Sequence, residues 1–420
     1  MTAFFLFIYN VLFAVFLAIL IPFGLIFSSN FRRNFFYKTK ERFAIWDFKR
    51  SLLKKTLWFH CSSIGEVRAV EPLLYAFKDD KTQIVLTVAT KTAREYAKNL
   101  KSIDFIALFP LDLYPLMSKA FEIINPVLFF PIETELWPSM FYSAHAKKIK
   151  IVGVNGRISE KTFKTYNKMS FFWSGFISFI DAVLARSEDD AKRYEALSKG
   201  KVKTFVTGNI KYDRDFSVGA SRADFNLTED DIVWTAGSIR EDEIAAIIEV
   251  YKTLIKTYPN IKMFIAPRHI DKIENIKTAL DRAKVPFTLF SSQLHKGIGF
   301  AAAAVVDVFG KLQDIYSISD LCFIGGSLID KGGQNPIEAA AYSKPVLFGK
   351  YMDNFKMEAK LLTDSGGAIV VKNAADLAKI SLNLLSDKQK LKDMGAKALH
   401  TVKSQKGSIQ LTIEKIKEFL

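Results

Sequence analysis

Cysteine is close to absent from these 420 residues: Cys61 and Cys322 are the only two, and both fall in apolar runs that read as strands. That excludes a disulfide framework and fits reduced core thiols in a cytosolic compartment. Histidine is almost as scarce, with five in all, and neither His60 nor His145 has a second ligand at a zinc-like spacing, so both read as structural. No G-x-G-x-x-G follows the first strand of either half, and no G-x-x-x-x-G-K-[ST] occurs. These absences argue against a nicotinamide dehydrogenase and a P-loop NTPase. No acidic metal triad stands out, and neither metal nor cofactor is expected. Acidic residues are in short supply, 44 against 59 basic ones, for a net charge of +15. Such a surface suits nucleic acid, anionic lipid or a phosphorylated substrate. Without a zinc knuckle, an RNA-binding aromatic signature or a helix-turn-helix, nucleic acid is the weakest of the three.

What is present divides into three. Residues 4–27 are apolar apart from Tyr9, Asn10 and small residues. As a helix they would extend roughly 36 Å, enough for a bilayer core of about 30 Å. Arg32, Arg33, Lys38, Lys40 and Arg42 follow this run and no basic residue precedes it, which assigns the rest of the chain to the cytoplasmic side. Asn10 and Pro22 interrupt the run, so a helix lying in the interface or dipping into one leaflet stays open beside a spanning one. We therefore expect an N-terminal membrane anchor over residues 1–30.

From residue 40 to 213, strands alternate with helices. Residues 57–61, 84–88, 105–109, 126–130 and 149–154 read as strands of a mainly parallel sheet. Ligands of such sheets sit beyond the carboxyl ends of the strands. Four polar loops should converge there: residues 62–66, 87–90, 133–137 and 155–157. Glu66, just past Gly65, has two readings. It is a partly desolvated carboxylate raised toward a useful base, or a first-turn residue complementing a helix dipole. Glu133 and Glu135 lie two apart, and Arg157 and Lys211 offer charge to an anionic ligand or to a salt bridge. The aromatic stretch 164–179 reads as core packing, with a membrane-facing patch as the other reading.

A polar linker over residues 216–230 leads into a second series of strands and helices, residues 214–404. Its most informative stretch is 318–349. Residues 321–324 read as a buried strand, followed by Gly325-Gly326, Ser327 and Gly332-Gly333. Asn335 then reads as the N-cap of an Ala-rich helix, with Pro336 at its first position and Glu338 at its third. A glycine-rich loop and a helix N-terminus present free backbone N–H groups to an anion, which makes Gly326 and Ser327 candidate contacts; an ordinary well-capped turn is the alternative. Residues 405–420 read as an amphipathic helix, with Leu411, Ile413, Ile416 and Phe419 packing back on the first domain. The natural assembly is two Rossmann-like domains facing each other across a cleft.

At this point the strings Ser63-Ile64-Gly65-Glu66, Glu133-Thr134-Glu135-Leu136-Trp137-Pro138, Asn155-Gly156-Arg157-Ile158-Ser159 and Gly208-Asn209-Ile210-Lys211-Tyr212-Asp213 stand in order. Pro267-Arg268-His269, Gly325-Gly326-Ser327-Leu328 and Gly332-Gly333-Gln334-Asn335-Pro336-Ile337-Glu338 follow them. Together they resemble the 3-deoxy-D-manno-octulosonic acid (Kdo) transferases of lipopolysaccharide synthesis over nearly the whole chain. The resemblance implies a GT-B fold, CMP-Kdo as donor, a lipid A precursor as acceptor, and attachment to the inner membrane. It implies Glu66 as general base, Glu133 and Lys211 as transition-state stabilisers, and CMP contacts at Pro267, Arg268, Gly310, Lys311, Leu312, Asn335, Pro336, Ile337 and Glu338. Departures are few. Ile64 stands for the family's Val, Gln334 for its usual His and Lys311 for its usual Glu. Residues 237–243 replace its S-T-H-E-G-E-E. Two rival readings are a related GT-B transferase with another nucleotide sugar, and a non-catalytic protein that binds anionic lipid from a membrane anchor.

Overall fold

The structure, a computed structural model, describes residues 1–28, 36–213, 219–293 and 303–420. Arg32 and Arg33, expected to mark the cytoplasmic side, lie outside the described residues, as do residues 216–218 of the expected linker. Two compact units emerge: Met1–Arg214 with Lys406–Leu420, and Asp215–Gln405.

The first unit is built on a seven-stranded parallel sheet. Its strands are β1 (Lys55–Cys61), β2 (Thr82–Val88), β3 (Phe105–Leu108), β4 (Leu128–Pro131), β5 (Lys150–Gly156), β6 (Ala182–Ala185) and β7 (Lys203–Val206), in the order β3-β2-β1-β4-β5-β6-β7. Strand alternation splits the core between two faces. Trp58 and Phe129 pack on one, with Phe121 and Phe141; Leu57, Phe59 and Phe130 pack on the other. The buried Trp58 indole still needs an acceptor and finds Thr87 Oγ1 at 2.8 Å. The C-terminal helix Ser408–Lys417 joins the second face through Ile413 and Ile416, while Leu411 is turned outward. The interior strand β6 and the edge strand β7 were not expected from the sequence.

The N-terminal helix runs unbroken from Thr2 to Phe27, through both Asn10 and Pro22, so neither interrupts it. It is long and apolar enough to cross a membrane. Its first third packs on the unit. Phe5 meets Phe171 and Phe172 edge-on, and Asn10 donates to Ser139 Oγ at 3.1 Å and accepts from Tyr114 N at 2.6 Å. Beside it the buried Asp112 carboxylate takes the Tyr9 hydroxyl and the N–H groups of Ser139 and Met140. The aromatic stretch therefore divides: Phe176 is core, whereas Phe171 stays exposed beside the helix.

The second unit has its own seven-stranded parallel sheet: β8 (Ile232–Ile239), β9 (Ile261–Pro267), β10 (Phe287–Leu289), β11 (Ala303–Val305), β12 (Leu321–Ile324), β13 (Val346–Gly349) and β14 (Ala368–Val371), ordered β10-β11-β9-β8-β12-β13-β14. Its edge strands β10 and β14 were not expected either. The described part of the expected linker is packed rather than loose, since Arg222 grips Asp320 with both Nη2 contacts, at 2.7 and 2.8 Å. In each sheet the strand order reverses direction beside the first strand, between β1 and β4 and between β8 and β12. Such switch points open a crevice at the strands' carboxyl ends.

Candidate active site

The first switch point is lined by the loops that leave β1, β4 and β5. After Cys61 the chain turns through Ser62 into the helix Ile64–Ala76, with Ser63 as its N-cap. Glu66, at the third helical position, folds back over that turn. Its Oε2 accepts from Ser62 N at 2.6 Å and its Oε1 from Ser63 Oγ at 2.9 Å. The first-turn reading is thus correct as geometry, and it does not displace the other reading. Burial pushes the Glu66 carboxyl up to about 7, helped by the nearby charges of Glu133 and Glu135 and opposed by the bonds from Ser62 and Ser63.

Beyond β4, Glu133 holds a left-handed backbone at φ +62°, a conformation that costs a non-glycine residue roughly 1–2 kcal/mol. Its N–H donates to Val154 O at 2.9 Å, and its carboxylate pairs with Lys211, which a short 3-10 turn, Ile210–Asp213, carries in from after β7. Asn155, also left-handed at φ +55°, bridges the two: its Nδ2 reaches Glu133 Oε1 at 3.4 Å and its Oδ1 accepts from Ile210 N at 3.2 Å. Burial alone would raise Glu133. Lys211, with Arg157 and Arg186, outweighs it and holds the group below the usual carboxylate range.

Glu135 points to different partners from Glu133. It accepts from Ser62 Oγ and from Trp137 Nε1, the latter at 2.6 Å, and its Oε2 lies 3.6 Å from His60 Nε2. His60 in turn stacks on Phe109, with ring centroids 3.7 Å apart. Burial pushes Glu135 up, but His60, Ser62 and Trp137 together hold it low. Ser62 therefore touches both Glu66 and Glu135. The sequence places Ser62 and His60 beside the motifs but gives no sign that they join two carboxylates. One ionised pair, one low carboxylate and one raised carboxyl share this crevice, an arrangement suited to removing a proton near neutral pH.

The second switch point corrects one expectation. The N–H groups of Gly326, Ser327 and Leu328 are not free: they donate to the buried Glu243 at 2.6, 3.1 and 3.1 Å. A fourth bond comes from Arg240 N at 3.0 Å. The Ser327 hydroxyl is also committed, donating to Ile324 O and accepting from Gly349 N at 2.8 Å. Gly325 is needed for a different reason, since a Cβ there would lie 2.4 Å from Ile239 Cα, where β12 and β8 leave the sheet. An internal carboxylate thus already fills the anion cradle inferred for Gly326 and Ser327.

The Ala-rich helix is also shorter than expected. It spans one turn, Ile337–Ala340, with Pro336 rather than Asn335 at the N-cap, and Asn335 Oδ1 accepts from Ile337 N at 3.1 Å. Ser343 turns left-handed at φ +60° and Pro345 follows, so the helix does not continue. The remaining expected contacts follow the carboxyl ends of three strands, β9, β11 and β12. Pro267 closes β9 and Arg268 is exposed beside it, its N–H on Ile239 O at 2.9 Å. Gly310 sits in a left-handed turn at φ +86°, Lys311 pairs with Asp314 at 2.8 Å, and Leu312 opens the helix Leu312–Ile318. Glu338 is half-buried on the single turn. Among the described residues no group of three or more His, Cys, Asp or Glu side chains is disposed to hold a metal.

Comparison with known proteins adds a second line. Residues 37–214 match the family model described as 3-deoxy-D-manno-octulosonic-acid transferase (kdotransferase). The 3-deoxy-D-manno-octulosonic acid transferase of Haemophilus influenzae is 29% identical over 372 residues, 87% of this chain and 87% of its own length. The enzyme of that name from Aquifex aeolicus is 29% identical over 372 residues, 87% of this chain and 94% of its own. Among solved structures, the UDP-GlcNAc 2-epimerase from Neisseria meningitidis superposes with a TM-score of 0.60 at 13% identity, covering 87% of this chain and 100% of that one. That likeness concerns the fold, which is of GT-B type.

Proposed function

Because the chain belongs to the Kdo transferases, glycosyltransferases of lipopolysaccharide synthesis, we propose that it moves Kdo from CMP-Kdo to a lipid A precursor (lipid IVA) with inversion and without a metal. The acceptor site is the crevice beside β1 and β4, and the donor site is the set of loops after β11, β9, β8 and β12. Glu66 is the base. It takes the proton of an acceptor hydroxyl as that oxygen bonds to the anomeric carbon of Kdo. The bond from that carbon to the CMP phosphate breaks on the opposite face, and CMP leaves with the electron pair. Lys211, oriented by Glu133, offsets negative charge on the donor as the bond opens. Arg268 and the loop at Asn335 hold the CMP phosphate, and Glu338 the ribose hydroxyls.

The observation that carries this reading is the Glu66 carboxyl, raised to about 7 at a sheet switch point beside an ionised Glu133–Lys211 pair. The apolar helix Thr2–Phe27 supports attachment to a membrane, here the inner membrane; the basic residues that follow it favour the catalytic units on the cytoplasmic side. Incubation with CMP-Kdo and lipid A precursor, followed by mass analysis, tests the reaction and counts the Kdo residues added. Product formed only from a UDP-sugar would replace the donor, and no product from any nucleotide sugar would leave a lipid-binding protein. Glu66→Gln should lower turnover by about 10²- to 10⁴-fold while CMP still binds. Near-normal turnover in that variant would sink the assignment of the base.

A further inference from the structure

At the end of β8 stands a cation that none of the roles above uses. Arg240 is held by its backbone, its N–H on Glu243 Oε2 at 3.0 Å and its carbonyl accepting from Glu243 N at 3.0 Å. The side chain is half-buried, and its Nη1 donates to His269 Nε2 at 2.9 Å. A guanidinium has no lone pair, so the histidine must be the acceptor in this contact. Its Nε2 is taken up by this contact, which leaves Nδ1 as the ring's outward donor. Arg240 Nε is sealed from solvent and has no hydrogen-bond partner among the described residues. The neighbouring carboxylates are engaged elsewhere: Glu243 with the N–H groups of residues 326–328, and Glu241 with Lys272 at 3.3 Å and Asn275 at 2.5 Å. Arg240, Pro267, His269 and Lys272 border one small recess at the strand ends.

A buried, charged donor without an acceptor is costly, and so is one without a counter-charge. Arg240 is fixed in that state by Glu243, which also fixes the glycine loop. We propose that Arg240, with the Nδ1–H of His269 and the exposed Arg268, forms an anion subsite that takes the phosphate of the donor nucleotide. This rests on the proposed use of the second unit as the nucleotide site. The half-buried guanidinium borders the recess and brings a delocalised charge with N–H donors that suit phosphate oxygens. The phosphate then gains contacts at the end of β8, where the glycine loop has none to spare.

The test compares nucleotide with nucleoside on the full chain by calorimetry. Wild type should bind CMP more tightly than cytidine. Arg240→Ala should weaken CMP by about tenfold to a hundredfold and leave cytidine unchanged, with Arg240→Lys in between. Unchanged CMP affinity overturns the subsite, and so does an equal loss for CMP and cytidine, which would make Arg240 a shaper of the pocket only. Arg240→Lys keeps the charge and the stem, so it decides the matter if the alanine variant unfolds. UDP and uridine are run in parallel. Preference of the wild type for UDP would overturn the cytidine donor, whereas the phosphate subsite is still judged on the UDP–uridine contrast.

Discussion

Glu66 and Glu243 occupy the same address in two sheets. Each follows the first strand of its unit, each stands at the start of a helix, and each lies at the switch point beside the next strand's exit loop. Their wiring is opposite. Glu243 accepts four backbone N–H groups, from Arg240, Gly326, Ser327 and Leu328, so its charge is fully answered by dipoles that cannot move away. Glu66 accepts one backbone N–H and one hydroxyl, and faces two further carboxylates. A carboxylate saturated by backbone dipoles is a structural post, and one that is buried, crowded and half-answered is ready to accept a proton. The position in the fold is shared, and the partners decide the role.

The contrast is broken most sharply by removing both groups. Glu243→Ala would leave buried N–H groups without acceptors and should cost about 3 kcal/mol or more, read from denaturant unfolding. Glu66→Gln should unfold no earlier than wild type near neutral pH. The raised carboxyl favours the fold fully below its ordinary 4.5, and that contribution fades as pH rises through about 7, where the amide carries no charge to bury. Equal losses in the two variants would erase the distinction. Next in size is the activity profile. Glu66, as the proposed base, must be ionised, so turnover should rise along an acid limb centred near pH 7. Glu133→Gln removes a neighbouring negative charge and should move that limb to lower pH in whatever activity remains; a limb that stays in place would mean another group sets it. The smallest effect is expected from Ser63→Ala. It deletes a bond that holds Glu66 down, so the limb should shift slightly upward, opposite to Glu133→Gln, with about 1 kcal/mol lost from the helix cap.

Most of the central strands could be read because they are buried on both faces and therefore appear as short apolar runs, as in Leu57-Trp58-Phe59 and Leu321-Cys322-Phe323-Ile324. Three of the four edge strands, β7, β10 and β14, could not, and neither could the short interior strand β6. Lys203–Val206 and Phe287–Leu289 are short and half-covered, and their composition resembles that of loops. At the site, residue types announced Glu66, Glu133 and Lys211 as possible chemistry, and their positions bring Glu133 to Lys211 directly. Glu243 stayed hidden because its partners are backbone N–H groups, which every residue possesses and no sequence marks. The same blindness made the glycine loop at Gly326 look vacant. Asn335-Pro336-Ile337-Glu338 has the chemistry of a helix start, yet nothing in those four residues dictates how far the helix continues.

Asn10 gives the N-terminal helix a consequence beyond attachment. A chain that merely tethers lets its cargo swivel and bob; this helix is bolted to the first unit through Ser139 and Tyr114, with Asp112 beneath the joint. Past the bolt, residues 11–27 extend about 25 Å of mostly exposed apolar surface at one fixed angle. Seated in a bilayer, that length works as a depth gauge. In the proposed membrane attachment it sets the height of Glu66 above the lipid heads, and so which part of the proposed lipid-borne acceptor comes level with it.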